Sequence, residues 1–412
     1  MRNTLLGIFF LVSALGIVFG VIYYNSTVRH IPVVFSPHDM LHSLWSSYKA
    51  EYLEPGTGRT LDKSRDNVTT SEGQSYTMLR AVWMDDKETF DRSWKWTKDN
   101  LGHTDDALFS WLFGKRADGS YGPLIAKGGE HTASDADIDI ALALLFAHNR
   151  WHGDAYLSSA KAIIRDIWRE EVVLIGGRPY LASNNVEKES LSRIVVNPSY
   201  FAPYAYREFA RVDLEHNWKG LVDTSYEVLS RSLELPLDKK RSALLPPDWV
   251  ELNRTSGALG APDGTGLSTN FGFDAMRVPW RIALDYRWNG ELRAKALLTK
   301  LSFLREEWEQ NGKIASIYGH DGKSVDTHES PAVYGATLPY FLLVAPDAAE
   351  KMYRLKLQIL YDPDERIWKD KLSYYDDNWA WFGMAFYWNE LPKLSTDQAS
   401  LLEKTRSTLV VR

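Results

Sequence analysis

The chain has 412 residues with a formal net charge of −6 at pH 7, and 44% of its residues are hydrophobic. This composition is that of a globular protein with a large core, and the mildly acidic balance gives no reason to expect a nucleic acid as a partner. The chain contains no cysteine, which excludes disulfides and thiolate metal sites. Its 16 tryptophans and 21 tyrosines supply rings that fill cores or stack on flat ligands.

Residues 5–24 form an apolar run without a charged side chain, long enough to span a bilayer. The run ends in Val-Ile-Tyr-Tyr, which fits an aromatic interfacial anchor better than a small-residue cleavage site. We therefore predict an uncleaved signal-anchor in residues 1–24, a linker in residues 25–36 and one folded domain in residues 37–412. Arg2 favours a cytoplasmic N-terminus, which places the domain outside the cytoplasm, at the cell surface or in the periplasm.

Beyond the linker, the hydrophobic periodicity predicts helices separated by loops rich in glycine, proline and asparagine. The absence of a strand–helix alternation and of runs of short strands argues against doubly wound and β-sandwich folds. The predicted helices span residues 38–53, 71–84, 87–100, 134–151, 154–170, 199–212, 214–235, 274–288, 290–308, 331–344, 346–360 and 376–389. This number fits an all-α toroid of six inner and six outer helices. The long loops at residues 102–132, 175–198 and 236–273 are predicted to build one face of the barrel with short strands.

The stretch Ala133–Trp151 is predicted to be a central helix. Residues 140–147 are all apolar, so that part of the helix is apolar on every face, and a helix that is apolar all round is buried among others. Ser134 is predicted to cap it, and Asp135, Asp137 and Asp139 follow in its first turns. One such acid is explained by its attraction to the helix N-terminus, whereas three acids at the mouth of a buried helix favour a functional site.

Two other predicted helices begin with an acidic residue. Ser71 is predicted to cap the first, with Glu72 beside it, and Asp274 begins the second, with Arg277 one turn later. Each acid alone is accounted for by the helix dipole or by a surface ion pair of small energetic value. Together with the acids of the central helix, they form a set of carboxylates at helix N-termini.

Other chemistries lack their characteristic residues. The glycine-rich stretch Gly257–Gly266 follows no predicted strand and carries no Lys-Ser/Thr pair, which argues against a nucleotide site. His131, His320 and His328 stand singly, without metal-ligand spacing, and no G-x-S-x-G serine motif occurs. We therefore predict neither a metal nor a cofactor. The remaining groups, carboxylates with aromatic rings, are those of glycoside hydrolysis.

The motifs now in view resemble those of glycoside hydrolase family 8 and occur in that family's order. They are Ser71–Tyr76, Ala133–Trp151, Asn197–Tyr200 and Phe273–Arg277. The stretch from Phe90 to Trp96 and the Pro246–Trp249 loop are similar to bacterial endoglucanases associated with cellulose synthesis. The resemblance covers roughly residues 39–388, and four motifs in order are far more specific than any one of them.

The resemblance implies an (α/α)6 barrel with a long glycan cleft and inverting, endo-acting hydrolysis of a β-1,4-linked glucan. Carried over by motif, Glu72 is the general acid and Asp274 is the general base. Asp135 is implied to bind and distort the sugar at the point of cleavage. Tyr200 and Arg277 are implied to line the same subsite.

A glycan cleft is expected to carry aromatic platforms for sugar rings. The candidates for this role are Trp94, Trp96, Trp111, Tyr121 and Trp280. We also predict that Asp137 contacts the substrate. Two positions depart from the family pattern, Phe273 where many relatives have tyrosine and Thr77 where glycine is more usual. Neither is an acid or a base, so the departures bear on substrate detail.

Three alternatives stay open from the sequence. Chitosanase and xylanase activities occur in the same family, although chitosan is a polycation and would favour a more strongly acidic cleft. A non-catalytic, membrane-anchored glycan-binding protein would keep the aromatic rings without needing all three carboxylates. A polysaccharide lyase would need a Tyr/His or Lys base beside a uronic-acid clamp, which the sequence does not display.

The predicted partners are a β-linked polysaccharide, the membrane through the N-terminal helix, and a polysaccharide synthase complex.

Overall fold

The computed structural model describes residues 36–263 and 266–395. The predicted membrane anchor in residues 1–24 lies outside the described residues. Among the helices of the described part, none combines the length and the hydrophobicity that a membrane span requires. The chain divides at residue 40 into two units, and the architecture below is that of the second.

The described residues form thirteen α-helices. They are α1 (Pro37–Tyr52), α2 (Ser71–Trp83), α3 (Lys87–Asn100), α4 (Ser134–Trp151), α5 (Asp154–Glu171), α6 (Pro203–Val212), α7 (Trp218–Glu234), α8 (Arg277–Asn289), α9 (Leu292–Lys300), α10 (Ser302–Asn311), α11 (Pro331–Val344), α12 (Pro346–Met352) and α13 (Tyr374–Tyr387). Six of them, α2, α4, α6, α8, α11 and α13, pack side by side in that order, and α13 packs back on α2. This closed inner ring is the predicted toroid.

Six further helices form the outer layer. The helices α3, α5, α7, α9 and α12 each pack on the inner helix next to them in the chain. Helix α1 completes the layer against α13, where the Trp381 indole donates to the carbonyl of Leu41 (3.1 Å) and the Asn378 amide donates to the hydroxyl of Tyr48 (3.2 Å). After each inner helix the chain thus runs back along an outer helix before the next inner helix begins. The N-termini of the inner helices therefore lie at one end of the barrel.

Burial separates the two layers as the hydrophobic pattern predicts. In α4, every residue from Ser134 to His148 is buried.

Between α11 and α13 the backbones themselves touch. A Cβ on Gly335 would lie 2.0 Å from the carbonyl oxygen of Trp379, and a Cβ on Gly383 would lie 2.3 Å from the carbonyl oxygen of Gly335. Glycine at both positions is what allows these helices to pack so closely.

Short strands occupy the three long loops, as predicted, and further short strands lie elsewhere in the chain. They are β1 (Thr69–Thr70), β2 (Leu112–Lys115), β3 (Tyr121–Pro123), β4 (Val172–Ile175), β5 (Arg178–Leu181), β6 (Arg193–Val196), β7 (Val250–Asn253), β8 (Leu259–Gly260), β9 (Ile317–Tyr318), β10 (Ser324–Asp326), β11 (Tyr361–Asp362) and β12 (Ile367–Trp368). All pairings are antiparallel, in the sheets β1-β2-β3, β4-β5, β6-β7-β8, β9-β10 and β11-β12. Strand β1 leads directly into the inner helix α2.

The helices predicted at residues 199–212 and 346–360 are shorter in the structure, where α6 begins at Pro203 and α12 ends at Met352. Two further helix predictions differ from the structure for identifiable reasons. The helix predicted at residues 290–308 is broken into α9 and α10 at Leu301, whose carbonyl accepts a hydrogen bond from the buried hydroxyl of Tyr340 (2.7 Å). The helix predicted from residue 274 begins only at Arg277, because Asp274 lies in the preceding turn. Both differences follow from contacts made outside the helix concerned.

Candidate active site

One arginine joins the three carboxylates that the sequence singled out. Nη1 of Arg277 donates to Oε2 of Glu72 (2.8 Å) and to Oδ2 of Asp135 (2.9 Å), and Nη2 donates to Oδ1 of Asp274 (2.5 Å). These residues come from the N-terminal regions of α2, α4 and α8, which the inner ring brings to the same end. The predicted convergence of the acids is therefore present in the structure.

The guanidinium of Arg277 is also held by groups other than the three carboxylates. Its Nε and Nη2 both donate to Oγ of Ser199 (3.1 and 2.8 Å), and the ring of Tyr200 lies 5.2 Å from it. Ser199 in turn donates to Oδ1 of Asn197 (2.7 Å) in the turn that precedes α6. A buried arginine fixed in this way presents its remaining donors at defined positions.

Glu72 stands in the first turn of α2. Thr70, not the predicted Ser71, caps the helix: it is extended, and its hydroxyl accepts from the backbone N–H of Gly73 (3.0 Å). Oε1 of Glu72 accepts from the hydroxyl of Tyr374 (3.0 Å), and the side chain is 22% exposed. Glu72 thus reaches solvent while both of its oxygens are held.

The cap of α4 differs from the prediction in the same way. Ala133 occupies the cap position, and Ser134 is the first helical residue. The hydroxyl of Ser134 donates to the carbonyl of Ala182 (2.8 Å), a contact between distant parts of the chain. The predicted Ser134 cap is therefore wrong.

Asp274 is part of a turn whose shape depends on a second buried acid, Asp248. Oδ1 of Asp248 accepts from the backbone N–H groups of Gly272 (3.1 Å) and Ala275 (2.8 Å), which flank Asp274 on both sides. A Cβ on Gly272 would lie 2.6 Å from Oδ2 of Asp248, so the carboxylate approaches this closely only because the residue is glycine. Burial, and then the charge of Asp274, raise the pKa of Asp248 to about 7.

Asp135 is the most deeply buried of the three acids, with its side chain 3% exposed. Burial raises the pKa of Asp135 to about 7; the charge of Arg277 opposes this rise, and that of Glu72 adds to it. Asp135 therefore changes charge near neutral pH, and the hydrogen bond from Arg277 is strongest when it is ionised.

Glu72 and Asp274 open onto a cavity of about 280 Å³. Its other lining residues are Asp62, Ser64, Arg65, Phe273, Ser373, Tyr374 and Tyr375. The Asp274 side chain is 31% exposed. The hydroxyl of Tyr375 donates to the carbonyl of Phe273 (2.5 Å), which joins the start of α13 to the Asp274 turn. Two accessible carboxylates separated by a guanidinium can donate a proton to one group and accept one from another.

Asp137 does not join this site, and its predicted contact with substrate is wrong. It lies two residues after Asp135 on a helix, about 200° around the axis. Its Oδ1 accepts from the backbone N–H of Phe109 (3.2 Å), and it is fully buried beside Glu171. Burial, together with the charge of Glu171, raises the pKa of Asp137 well above its usual range. Asp139 is also structural, in a buried ion pair with Arg281 (2.7 Å).

The predicted aromatic platforms divide into three groups. The carbonyl of Trp111 accepts from the N–H of Ser71 (3.0 Å), which puts it at the start of α2, and Tyr121 is 59% exposed. Trp94 and Trp96 are half-buried on the outer helix α3 and are not part of the described lining of the cavity that Glu72 opens onto. Trp280 is buried inside the barrel, so its predicted role as a platform is wrong.

Sequence reasoning missed several residues of the site. Tyr374 and Tyr375 were not identified as site residues, because the last helix was predicted to begin at residue 376, two residues after its start in the structure. Asp248 and Ser199 lie within motifs that carried the family resemblance, yet neither stood out. Each acts on a residue far away in the chain, and no local pattern reports such a contact.

Comparisons with known proteins agree with this geometry. The family model for glycosyl hydrolases family 8 matches residues 21–337. A probable endoglucanase of Novacetimonas hansenii is 31% identical over 241 residues, which are 58% of this chain and 66% of that protein. Endoglucanase C of Ruminiclostridium cellulolyticum is 31% identical over 271 residues, 63% of this chain and 52% of that protein. The chain thus spans between about half and two thirds of the length of these curated relatives.

A solved structure supports the same assignment. The endo-1,4-D-glucanase from Vibrio fischeri ES114 superposes with a TM-score of 0.66 at 26% sequence identity, covering 84% of this chain and 94% of that one. The family match spans more than half of the chain, and within it the acids at the starts of α2 and α4 and in the turn before α8 meet at one arginine. The chain therefore belongs to glycosyl hydrolases family 8.

Proposed function

We propose that the protein is an endo-acting, inverting glycoside hydrolase that cleaves β-1,4-glucan. The observation that carries this proposal is the contact of Arg277 with Glu72, Asp135 and Asp274, two of which reach an open cavity. The endoglucanase names of the curated relatives support the substrate class. Retaining and inverting enzymes both need two carboxylates at the scissile bond.

In the proposed mechanism, Glu72 is the general acid and Asp274 is the general base. Glu72 donates its proton to the glycosidic oxygen as the bond from that oxygen to the anomeric carbon breaks. Asp274 takes a proton from a water molecule whose oxygen attacks the anomeric carbon from the opposite face. The hydrogen bond from Tyr374 orients Glu72, and the turn built on Asp248 orients Asp274.

Arg277 and Asp135 act on the sugar between these two groups. The position of the Arg277 guanidinium between Glu72 and Asp274 keeps the two carboxylates apart, which suits a reaction that must admit a water molecule. Asp135 lies on the same guanidinium and is proposed to hold the sugar in the distorted ring that cleavage requires. Tyr200 lies below the guanidinium and completes this subsite.

The test measures reducing ends released from hydroxyethylcellulose, mixed-linkage β-glucan, xylan and chitosan. We expect the glucans to be cleaved fastest and Glu72→Gln and Asp274→Asn to lose at least about 10³-fold in kcat, since each removes a proton-transfer group. Glu88→Gln, which alters an exposed acid on the outer helix α3, is the matched control. Faster cleavage of chitosan or xylan would overturn the substrate assignment.

Stereochemistry tests the assigned roles separately. Proton NMR of the first product from a β-linked cello-oligosaccharide is expected to show the α-anomer. A β-anomer formed first would mean a covalent intermediate and would contradict the proposed base role of Asp274.

We also propose that residues 5–24 anchor the enzyme in a membrane with its domain outside the cytoplasm, where a polysaccharide synthase complex is the expected partner and exopolysaccharide synthesis or turnover the expected setting. The uncharged apolar run supports the anchor. After alkaline carbonate extraction, the full-length protein is expected in the membrane pellet, and a chain beginning at residue 33 in the supernatant. Full-length protein released by carbonate would contradict the anchor.

A further inference from the structure

A second cavity, of about 740 Å³, adjoins the candidate active site. It is lined by Arg65, Asp66, Asn67, Val68, Leu112, Lys115, Arg116, Ala117, Tyr121, Leu124 and Lys127. Arg65 lines this cavity and also the one onto which Glu72 and Asp274 open. The two cavities are therefore neighbours on either side of this arginine, and we call the second one the basic pocket.

The basic pocket is positively charged in a protein whose net charge is −6. Lys115, Arg116 and Lys127 line it, and within the described residues none of the three has a carboxylate at salt-bridge distance. Asp66 is the one acid of the lining. Nearby Asp118 is bound by the N–H (2.9 Å) and hydroxyl (2.7 Å) of Ser120. Three unpaired cations converge on one cavity and raise the local concentration of anions.

Arg116 is held in a fixed position. Its Nε donates to the carbonyl of Pro123 (3.1 Å) across the β2–β3 hairpin. A Cβ on Gly122 would lie 2.1 Å from Nη2 of Arg116, so the guanidinium occupies the space into which a side chain at residue 122 would project. A cation fixed by the hairpin loses little side-chain entropy when it binds an anion.

Tyr121 adds an aromatic surface beside Lys115. It pairs with Lys115 across β2 and β3, which places their side chains on one face of the hairpin as neighbours. Its ring stacks on Phe113 (centroids 6.4 Å apart, planes at 27°), with the guanidinium of Arg59 5.6 Å away. The supported and exposed ring is suited to stacking on a sugar.

We propose that the basic pocket binds a glucan unit that carries an anionic substituent, so that the enzyme prefers an acidic β-1,4-glucan over a neutral one. This inference rests on the proposed function, because it specifies the substrate of the same cleft. The tyrosine ring stacks on the sugar, while Arg116 and the two lysines bind the anionic group. A neutral glucan would use only the aromatic part of the pocket.

The test compares carboxymethylcellulose with hydroxyethylcellulose of matched chain length, with phosphorylated cellulose as a second anionic substrate. The readout is the ratio of kcat/KM for an anionic substrate to that for the neutral one. Lys115→Gln combined with Lys127→Gln is expected to lower this ratio about fivefold at low salt. Salt near 0.5 M is expected to bring the wild-type ratio down to that of the variant.

Controls separate the pocket from general effects of charge. Lys219→Gln changes an exposed lysine on the outer helix α7 and is expected to leave the ratio unchanged. Arg116→Gln provides an independent variant within the pocket and is expected to lower the ratio. A loss for only one of the two anionic substrates would identify carboxylate or phosphate as the group bound.

Two failures are distinguishable. If the wild-type enzyme cleaves hydroxyethylcellulose but the pocket variants keep the wild-type ratio on both anionic substrates, the basic pocket is not an anion subsite and the proposed function stands. If the wild-type enzyme cleaves neither neutral nor anionic glucan, the proposed function itself is overturned, and the inference with it.

Discussion

At the scale of single residues, the site depends on a buried arginine that donates to oxygen atoms of five residues, Glu72, Tyr76, Asp135, Ser199 and Asp274. Arg277 contacts carboxylates of three inner helix regions and the hydroxyl of Ser199. A planar fork with fixed donors can hold several carboxylates at once, which a single ammonium group cannot. The charge of Arg277 also offsets part of the cost of burying Asp135. Arginine therefore both orients the acids and makes their close approach possible.

Asp248 is expected to act as a positioning residue for Asp274. Asp248→Ala leaves the N–H groups of Gly272 and Ala275 without their acceptor, at a cost of about 1–3 kcal/mol for each unsatisfied group, and should lower kcat on hydroxyethylcellulose at least tenfold. Asp248→Asn keeps an acceptor oxygen of the same shape and should retain most of kcat.

Kinetics and urea unfolding of both Asp248 variants check this prediction. The rescue by asparagine separates positioning from general stability, since a purely structural effect would lower the free energy of unfolding without lowering kcat of the folded enzyme. An alanine variant with wild-type kcat would show that the turn keeps its shape without the carboxylate.

At the scale of elements, the inner ring closes partly through backbone contact. Helices α11 and α13 meet at Gly335 and Gly383, where neither has room for a Cβ. The backbone atoms that approach them are those of Trp379, Ala380 and Gly335, so the distance between the two helices is set by glycine at both positions. Helix α13 also begins with Tyr374, whose hydroxyl donates to Glu72. The spacing of α11 and α13 therefore affects the position of this hydroxyl.

Gly383→Ala is expected to destabilise the domain by about 1–3 kcal/mol, because the new methyl group would meet the backbone of Gly335. Urea unfolding monitored by tryptophan fluorescence measures the change. Gly260→Ala is the matched control, since a Cβ there meets nothing within 4 Å, and it should change the free energy of unfolding by less than about 0.5 kcal/mol. Equal effects of the two substitutions would contradict the importance of the close contact.

At the scale of the whole molecule, buried acids outside the site set the dependence of stability on pH. Glu171 accepts from the hydroxyl of Thr132 (2.6 Å) and lies beside Asp137. Burial raises the pKa of Glu171 from 4.5 to about 8. Between about pH 4.5 and pH 8 the folded state therefore keeps a proton on Glu171, whereas in the unfolded chain Glu171 has released it. This stabilisation is complete below about pH 4.5 and is lost as pH rises through about 8.

Glu171→Gln is expected to flatten this dependence. The amide does not ionise, so the variant should lose the contribution of Glu171 to this dependence, a fall in the free energy of unfolding of up to about 1.4 kcal/mol per pH unit. Urea unfolding at pH 5, 6.5 and 8 measures the slope, and Glu170→Gln, next to it but paired with Arg169, is the control. A variant with the wild-type slope would show that Glu171 does not hold the proton.

The sequence by itself determined the helical architecture. The ranges predicted for α3, α4 and α11 agree with the structure at both ends, because periodicity and turn residues are local signals. The acids Glu72, Asp135 and Asp274 were identified for the same reason, since each stands where a predicted helix begins. The short strands within the long loops were also predicted, from loop length alone.

Only the tertiary structure decided which polar groups meet. Asp135 and Asp137 have the same local surroundings in sequence, yet one contacts Arg277 and the other contacts Phe109 and Glu171. The break at Leu301 likewise comes from a contact with another element. Such pairings depend on how each helix is rotated about its own axis in the ring. This rotation is set by packing between residues far apart in the chain. Local helix propensity therefore does not predict these pairings.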